Sequence, residues 1–466
     1  MKSLYQHLAD YSAGDYYGFH MPGHKRNINI TGAKLPYDID ITEIDSFDDL
    51  HHASGIIKAY QERAAHVYGA EETHYLVGGS TAGILSAVMG CTGRGDKVLM
   101  SRNCHKSVYN AAVMKELDSQ YLYPRYYEDT GLNGEVSVDD VTLALDTDPD
   151  IKVVVVVSPT YDGAVSDVGR IAAAVHERGL PLIVDEAHGA HFGFHRAFPE
   201  NANRLGADVV IHSLHKTMPA LTQTGLLHLN GDIVNRERVR DYLQMLQSSS
   251  PSYILMAGIE ACINLLEREG AQRFRQYAAD LQELRSTLRG LNNLQLIETP
   301  RYDDSKIVIS TMGTGISGKE LFNCLLREYH LQLEMAAGSY VIAMTSMADT
   351  KAGFERLTSA LKAIDAGLIS GLPGNAVNRL PRMKKIYTEA KMQICAKEMV
   401  EALPWRESIG HIASERAYLY PPGIPLILPG ERISAAAVET LEKYRSLDFE
   451  IQGLKDREKI EVLIDG

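Results

Sequence analysis

Between residues 74 and 247, short apolar stretches alternate with amphipathic ones, and this alternation is the feature that most constrains the fold. Val153–Val157 is a run of five consecutive valines, which is typical of a strand covered on both faces. Strands separated by helices predict an α/β fold with a mainly parallel, seven-stranded sheet wrapped on both sides. The predicted strands are 74–77, 97–100, 121–123, 152–157, 181–184, 208–211 and 225–229, and the predicted helices about 81–90, 105–116, 137–146, 168–178 and 232–247.

Smaller units are predicted around this sheet. The amino-terminal segment begins with a short helix and then turns polar and irregular, so we expect it to pack on the large domain. A strand, a helix and a second strand predict a small α/β domain, and the tail predicts a C-terminal α+β domain. The predicted units are 1–54, 55–300, 301–371 and 372–466.

Three local patterns refine this outline. Gly371–Asn375 contains two glycines and a proline and is predicted to be a linker. A helix is predicted at about 385–402. Gly313–Glu320 resembles a phosphate-binding loop, but Glu320 stands where a hydroxyl is needed for magnesium, so an ordinary strand, turn and helix is expected.

Composition excludes several classes of protein. The 466 residues carry a net charge of -13 and no basic face or tail, which argues against nucleic-acid binding. No long apolar run or cleavable leader is evident, so no membrane association is expected. Five cysteines without CxxC spacing suit a reducing compartment, and a cytoplasmic location is predicted.

The most informative strand end is that of 208–211, which is followed by Ser213, His215 and Lys216. A lysine in apolar surroundings loses part of its preference for the charged form and becomes an amine nucleophile, as a Schiff base requires. Asp185 ends the preceding strand of the sheet. Its carboxylate is the partner that a protonated pyridine nitrogen needs in a pyridoxal phosphate site, although a helix cap or a loop salt bridge is the alternative.

Other strand ends supply further candidate groups. The turn that carries Ser80 and Thr81 leads from a strand into a helix, where free backbone N–H groups favour a phosphate. His105 follows another strand and is the candidate to stack on a cofactor ring, with a helix-capping loop as the alternative. Thr160 lies past the valine run and is predicted near the ring edge. The turn around Ser250 is either a helix start or a second phosphate contact.

A metal site is not predicted. His188, His191 and His195 are close in sequence, but their spacing matches neither HExxH nor a Cys/His site. His188 is the best of the three for the cofactor site because it follows Asp185 closely.

Taken together, these residues resemble the Orn/Lys/Arg decarboxylases of the fold-type-I pyridoxal phosphate enzymes, in their short bacterial form. The similarity spans nearly the whole chain, in the right order. The matching pieces are Phe19-His-Met-Pro-Gly-His24-Lys, Asp48-Asp-Leu-His51, Gly79-Ser-Thr81, Asn103-Cys-His-Lys106, Asp185-Glu-Ala-His-Gly-Ala-His191, Ser213-Leu-His-Lys216, Ser250-Pro-Ser-Tyr253 and Pro421-Pro-Gly-Ile-Pro425.

The resemblance implies a role for each candidate residue. Lys216 would form the internal aldimine with pyridoxal 5'-phosphate, Asp185 would face the pyridine nitrogen, and His105 would stack on the ring. His188 would lie near the reacting carbon. The implied phosphate contacts are Ser80, Thr81, Ser213 and His215. The resemblance also implies a homodimer, possibly a dimer of dimers, with interfacial active sites and Ser249 or Ser250 reaching across.

The implied activity is the decarboxylation of lysine, ornithine or arginine, and the sequence does not rank these substrates. The proton donor to the α-carbon is left between His215 and Lys216. Candidate partners for the substrate's distal charge are Glu43, Asp45, Asp48, Asp49 and Glu415.

Two alternatives stay open. An aminotransferase or another lyase shares this fold, since a fold does not dictate a reaction. An aminotransferase needs an arginine for the substrate carboxylate, and Arg125 and Arg301 are candidates. The second alternative is a non-catalytic protein that binds the cofactor, which the presence of Lys216, Asp185 and His105 disfavours.

Overall fold

A computed structural model describes residues 2–15, 20–22, 24–29, 31–369, 371, 379–394, 399–419 and 423–464. Most of the predicted linker at 371–375 lies outside these ranges. So do four residues of the sequence pieces that carry the resemblance, namely Phe19, Gly23, Pro421 and Pro422.

The described strands are β1 (Glu72–Leu76), β2 (Lys97–Ser101), β3 (Asp118–Leu122), β4 (Tyr126–Tyr127), β5 (Leu132–Asn133), β6 (Ile151–Val157), β7 (Leu182–Asp185), β8 (Val209–His212), β9 (Gly225–Leu229), β10 (Gln295–Ile297), β11 (Lys306–Ser310), β12 (Met335–Ala336), β13 (Tyr340–Met344), β14 (Lys384–Lys385), β15 (Val400–Pro404), β16 (Ala417–Leu419), β17 (Ile424–Ile427), β18 (Glu431–Arg432), β19 (Ile451–Gln452) and β20 (Lys459–Leu463).

The described α-helices are α1 (Leu4–Ala13), α2 (Ile56–Tyr68), α3 (Gly79–Cys91), α4 (Lys106–Met114), α5 (Val138–Thr147), α6 (Val168–His176), α7 (Leu214–Thr217), α8 (Arg236–Leu246), α9 (Tyr253–Leu288), α10 (Gly318–Tyr329), α11 (Lys351–Ala366), α12 (Glu389–Ile394) and α13 (Ala435–Ser446). A short 3₁₀ helix spans Leu50–His52.

The large sheet contains all seven predicted strands, in the order β1-β9-β8-β7-β6-β2-β3. Strands β3, β2, β6, β7 and β8 pair in parallel, and β9 runs antiparallel to both β8 and β1. The prediction of a mainly parallel seven-stranded sheet is therefore confirmed. The carboxyl ends of six strands meet at one edge, where open sheets of this type bind ligands.

The valine run shows why this sheet is covered on both faces. Val153 and Val155 pack with residues of α3, α4 and α8, whereas Val154 and Val156 pack with residues of α5 and α6. All four are fully buried. Because successive strand residues point to opposite faces, an unbroken apolar run satisfies two helical layers at once.

The first helix of the chain packs against α2 and α9. Leu4 and Leu8 are buried in the same apolar cluster as residues of α2 and α9. The backbone N–H of Leu4 donates to the Glu260 carboxylate, 2.5 Å away, and the Tyr60 hydroxyl donates to the Lys2 carbonyl, 2.7 Å away. Helix α1 therefore gains its stability from the surface of α9 and α2, because a ten-residue helix is marginal alone.

A four-stranded antiparallel sheet, ordered β10-β11-β13-β12, forms a smaller unit with α10 and α11. The expected strand, turn and helix after β11 is confirmed. Ser317 and Glu320 form a capping box at the start of α10, in which the Glu320 carboxylate accepts from the Ser317 backbone N–H. Glu320 therefore serves the helix end and not a phosphate.

The C-terminal region combines α12 and α13 with three small sheets, β14-β18, β15-β20 and β17-β16-β19. The prediction of one helix at about 385–402 is wrong, because strand pairing takes both of its ends. Lys384 and Lys385 pair with β18, and Val400–Pro404 pairs with β20, so helix is described only at Glu389–Ile394. Pairing with distant strands overrides local helical preference.

Candidate active site

A cavity of about 480 Å³ lies at the carboxyl edge of the large sheet. The loops after β2, β6, β7 and β8 and the first turn of α3 line it. Glu334, which precedes β12, Met344 of β13 and Ile424 of β17 also line it. The cavity is therefore built from elements far apart in the chain.

Lys216 lies on the short helix α7, directly after β8, and its side chain lines this cavity. The Lys216 Nζ lies 2.9 Å from Nε2 of His188. Burial lowers the pKa of Lys216 below its ordinary value, while the Asp185 carboxylate opposes the shift. A lysine with a lowered pKa offers more of its nucleophilic neutral amine at neutral pH.

Asp185 is the last residue of β7 and lies on the cavity wall, 5% exposed. Its Oδ1 accepts a hydrogen bond from the Ala187 N–H, 3.1 Å away. Burial raises the pKa of Asp185, and Lys216 opposes the shift. A buried carboxylate with one backbone donor is suited to a cationic partner in the cavity.

A buried hydrogen-bonded chain begins at Glu186, next to Asp185, and crosses three strands. Glu186 Oε2 lies 2.7 Å from His212 Nε2, and His212 Nδ1 lies 2.9 Å from His228 Nε2. His228 Nδ1 lies 2.7 Å from the Thr73 hydroxyl. Burial lowers the pKa of His212 to about 3, so this ring is neutral at neutral pH. The chain therefore links β1, β9 and β8 to the residue that follows β7.

The first turn of α3 lies on the cavity wall. Gly78 precedes the helix and makes no side-chain capping bond, and Gly79 adopts a φ of 71°. Ser80 and Thr81 line the cavity, and the Ser80 Oγ lies 2.5 Å from the Ser213 Oγ. An uncapped helix start with two hydroxyls is the arrangement that binds phosphate.

His215 lies beside this turn, and its ring orientation is defined. The His215 Nδ1 lies 2.9 Å from the Thr224 carbonyl oxygen, which makes Nδ1 the protonated nitrogen. Burial lowers the pKa of His215 below its ordinary value. The neutral ring lines the cavity next to Lys216.

His105 lies immediately before α4 and lines the cavity. Its Nδ1 accepts from the Ser107 N–H at 3.3 Å and lies 2.8 Å from the Ser107 hydroxyl. Burial and then the Lys216 charge lower the pKa of His105 to about 4. The imidazole is therefore neutral at neutral pH and offers a flat ring. His105 also caps the start of α4, as the helix-capping alternative expected.

His188 and Thr160 also line the cavity. The ring of His188 packs against Tyr161 with centroids 4.6 Å apart, and burial holds the pKa of His188 well below its ordinary value. The Thr160 hydroxyl accepts from the Ala164 N–H at 3.0 Å, so it also stabilises the loop after β6. Ser250 is exposed in the turn before α9 and is not among the cavity-lining residues of this chain.

The other sequence candidates lie elsewhere. The Asp48 carboxylate accepts from four backbone N–H groups around the start of α2, and Asp49 caps the 3₁₀ helix. Glu415 accepts from the backbone of Lys455 and Glu461. The acids and arginines proposed from the sequence that are absent from the cavity wall are Glu43, Asp45, Asp48, Asp49, Glu415, Arg125 and Arg301.

For several residues that line the cavity, no role was predicted from the sequence. Asn103 belongs to a sequence piece that was recognised, yet its side chain was given no role. Its Oδ1 is buried on the cavity wall without a hydrogen-bond partner among the described residues. Asp162 follows Thr160 by two positions and was within reach of the strand-end argument. Glu334 lies far along the chain, and no local pattern marks it.

The described residues contain neither a metal-binding cluster nor a membrane-spanning helix. In these ranges no group of three or more His, Cys, Asp and Glu side chains is arranged to hold a metal ion. His191 instead contacts Asp303, with Nε2 to Oδ1 at 2.9 Å. No helix in the same ranges combines the length and the apolar character needed to cross a bilayer.

The sheet order, the covered valine strand and the lysine-bearing edge define the fold-type-I architecture of pyridoxal phosphate enzymes. Residues 2–307 match the Orn/Lys/Arg decarboxylase major domain, and residues 371–457 match the C-terminal domain of the same family. The chain therefore belongs to the Orn/Lys/Arg decarboxylase family and is an amino-acid decarboxylase.

Individual relatives agree with this membership. The uncharacterized protein YaaO of Bacillus subtilis is 34% identical over 98% of this chain and 97% of its own. The arginine decarboxylase of Halalkalibacterium halodurans is 30% identical over 94% of this chain and 92% of its own. The lysine decarboxylase LdcF of Francisella novicida superposes with a TM-score of 0.85 at 20% identity, covering 99% of this chain and 81% of that one.

Proposed function

We propose that this protein uses pyridoxal 5'-phosphate, bound covalently through Lys216, to decarboxylate a basic amino acid to the corresponding amine. The observation that carries the proposal is the convergence of Lys216, Asp185, His105 and the α3 turn on one cavity of about 480 Å³. Each group ends or follows a different strand, so their meeting is a property of the fold.

The residues present fit this cofactor. The uncapped start of α3, with Ser80 and Ser213 in contact, suits the phosphate, and His215 and Thr81 flank it. The neutral ring of His105 suits the face of a pyridine ring. Asp185 suits the ring nitrogen, because a buried carboxylate gains most from a cationic partner. The unpartnered Asn103 Oδ1 supplies a further acceptor on the wall.

When bound, the cofactor supplies an electron sink for the bond that breaks to carbon dioxide. Asp185 would be the residue that stabilises a proton at the ring nitrogen of that cofactor. The protein's remaining tasks are to bind the substrate amine, to orient its carboxylate and to return one proton to the α-carbon.

Lys216 and His188 are the groups placed to handle that proton. Nε2 of His188 lies 2.9 Å from the Lys216 Nζ, and burial keeps this histidine neutral. A neutral His188 accepts a hydrogen bond from the Lys216 Nζ and so orients Lys216 toward the substrate. Of the two donors left open by the sequence, Lys216 is therefore favoured over His215, whose Nδ1 is engaged by the Thr224 carbonyl.

Among the described residues that line the cavity there is no arginine. An aminotransferase retains the substrate carboxylate through its cycle and holds it with such a group, whereas a decarboxylase must release it. Arg301 contacts Asp167 at 2.8 Å outside the cavity. This arrangement supports decarboxylation over transamination, and the arginine decarboxylase relatives make arginine the first substrate to test.

The proposal also covers the domain boundaries, the oligomeric state and the cellular location of the protein. We propose domain boundaries after residues 54, 300 and 371. We also propose a homodimer in which Ser250 of one subunit reaches the other's cofactor, since it lies outside its own cavity wall. A cytoplasmic location is supported by the free state of the described cysteines, Cys91, Cys104, Cys262 and Cys324.

The decisive experiment measures carbon dioxide release from arginine, lysine and ornithine by the purified protein, with keto-acid formation as the transaminase control. The proposal predicts release from at least one substrate without a keto acid. Borohydride reduction followed by peptide mass analysis should place the cofactor on Lys216, and Lys216→Ala should abolish both signals. Keto-acid formation as the main reaction, or cofactor attached to another lysine, would refute the proposal.

A further inference from the structure

A second lysine, Lys306, is buried where the four-stranded sheet meets the loops of the large sheet. It is the first residue of β11 and is fully buried. Its Nζ has no hydrogen-bond partner among the described residues, and Oδ2 of Asp303 lies 3.6 Å from it. A buried ammonium group whose hydrogen bonds are not all made is costly, so its position needs an explanation in terms of function.

Asp303 holds this lysine in a fixed network. The Asp303 Oδ1 lies 2.9 Å from Nε2 of His191, and Ser305 donates to the same carboxylate from its N–H at 3.0 Å and its hydroxyl at 2.8 Å. Burial would raise the pKa of Asp303, but His191 and Lys306 hold it well below its ordinary value. Burial lowers the pKa of Lys306, and the ionised Asp303 opposes that shift. The carboxylate therefore favours a charged Lys306 in spite of its burial.

The Asp303–Lys306 pair packs against the loop after β6. The Asp303 N–H donates to the Gly163 carbonyl, 2.8 Å away. Gly163 also lies so close to Lys306 that a Cβ at this glycine would be 3.0 Å from the Lys306 Cγ. Thr160 and Tyr161 of the same loop line the cavity. The pair therefore contacts a loop that forms part of the cavity wall, although Lys306 is not itself on that wall.

The same pair contacts the loop after β7 through His191. His188 lies three residues earlier in that loop, and its Nε2 is 2.9 Å from the Lys216 Nζ. Burial is the largest cause of the lowered pKa of both Lys216 and His188, and the charge of Lys306 lowers both further. Lys306 is thus an electrostatic neighbour of the reacting amine.

The charges around Lys216 show what Lys306 contributes. Two carboxylates on the cavity wall, Asp185 and Glu334, favour the charged form of Lys216, and Lys306 is the cation that opposes them. The other titratable side chains on this wall, among the described residues, are Tyr161, Asp162, His105, His188 and His215. Burial lowers the pKa of these three histidines, so they bring no positive charge at neutral pH. A second cation beside a lysine makes its amine more nucleophilic.

We propose that Lys306, held by Asp303, is a positioning residue that keeps the Lys216 amine uncharged and therefore reactive toward the aldehyde of the cofactor. In that step the Lys216 nitrogen bonds to the aldehyde carbon, and the aldehyde oxygen leaves as water with the two protons of the amine. An ammonium has no lone pair for this bond. The inference rests on the proposed function, because it explains how the lysine of that function stays reactive.

The test compares Lys306→Met, which removes the charge and keeps an unbranched apolar chain, with a matched control. Lys362→Met removes the same charge from an exposed position on α11, outside the cavity. Each full-length protein is freed of cofactor and methylated with formaldehyde and cyanoborohydride at a series of pH values. Peptide mass analysis of Lys216 then gives the pH at which half of its amine is free. The absorbance of the bound cofactor, titrated with pH, is the second measurement.

Lys306→Met should raise the midpoint for Lys216 by about one pH unit, so that about tenfold less of its amine is free at neutral pH. The absorbance midpoint should move in the same direction. The control should stay within about 0.3 pH unit of the unmodified protein, which is about a twofold change. If Lys306→Met does not fold, the double variant Asp303→Asn/Lys306→Met removes both buried charges together and should shift the midpoint in the same direction.

An unchanged midpoint in the variant that folds would overturn the proposal, even if cofactor binding were weaker, because damage to the two loops alone does not alter the charge near Lys216. An equal shift in Lys362→Met would also overturn it. These results are separate from a failure of the proposed function, in which the unmodified protein releases no carbon dioxide from any basic amino acid, since the methylation midpoint is measured without cofactor or substrate.

Discussion

Arg102 and Glu431 form a buried ion pair between the large sheet and the C-terminal region, and we predict that it holds the His105 loop in place. Both side chains are 1% exposed. Arg102 follows β2 and precedes His105 by three residues. Its guanidinium donates to the carbonyls of Pro425 at 2.8 Å and Leu426 at 3.3 Å, and to Glu431 Oε2 at 3.3 Å.

The structure sets the expected magnitude. Removing one partner from a buried ion pair costs about 3–5 kcal/mol, because the other charge stays buried without compensation. Glu431→Gln should lie near the lower limit, about 3 kcal/mol, because Arg102 keeps two carbonyl acceptors. Arg102→Met should lie near about 5 kcal/mol, since among the described residues Glu431 then keeps one hydrogen bond, from the Leu428 N–H at 2.9 Å. The double variant Arg102→Met/Glu431→Met should cost less than the sum of the single changes.

The chain provides its own probe for this experiment. Trp405 is the single tryptophan, is 5% exposed and packs in the C-terminal apolar cluster. Its fluorescence during urea unfolding therefore reports on the region that contains Glu431. A parallel titration with pyridoxal phosphate should show weaker cofactor binding in Arg102→Met, because the His105 loop loses its anchor. Strictly additive single changes, or Glu431→Gln within about 0.5 kcal/mol of the unmodified protein, would refute the reasoning.

Three further predictions concern the site and its support. Asp185→Asn should retain bound cofactor but reduce carbon dioxide release by on the order of 10²-fold or more, and near-normal turnover would remove Asp185 from the ring-nitrogen role. Because burial lowers the pKa of His105 to about 4, against about 6.5 when unfolded, the cofactor-free protein should lose stability as the pH falls from about 6.5 to about 4. His105→Asn should reduce that loss in thermal denaturation, and an unchanged pH profile would contradict the shift. Burial would raise the pKa of Asp303, yet His191 and Lys306 hold it well below its ordinary value, so its contribution to stability is present above about pH 4 and is lost in stronger acid. Asp303→Asn should therefore destabilise the protein by about 3–5 kcal/mol at neutral pH and flatten the acid limb, whereas a change below about 1 kcal/mol would refute the assigned role.

The large sheet was predictable because each strand carries its own signal. An apolar run such as Val153–Val157 identifies a covered strand without reference to any distant residue. Parallel pairing then brings the carboxyl ends of these strands to one edge. Lys216, Asp185, His105 and Ser80 could therefore be grouped from the sequence before any contact was known.

Contacts between distant elements could not be predicted in the same way. Both ends of the helix expected at about 385–402 form strands instead, because they pair with β18 and β20. The sequence around Lys385 and Val400 does not indicate these distant partners. From the sequence, Asp48 and Glu415 are indistinguishable from solvated acids, yet the carboxylate of each accepts hydrogen bonds from backbone N–H groups. The neighbouring sequence is the same whether a carboxylate is solvated or accepts hydrogen bonds from the backbone.

By itself, the sequence determined the order of strands and helices and the chemistry delivered to one edge of the sheet, because apolar periodicity and strand-end residues are local properties. Only the tertiary structure decided which residues from distant parts of the chain complete the lining of the cavity. It brought Glu334 to Tyr161 and His188, and it joined Arg102 to Glu431 across the interface with the C-terminal region. These pairs depend on the packing of separate sheets, and packing is decided by the whole chain.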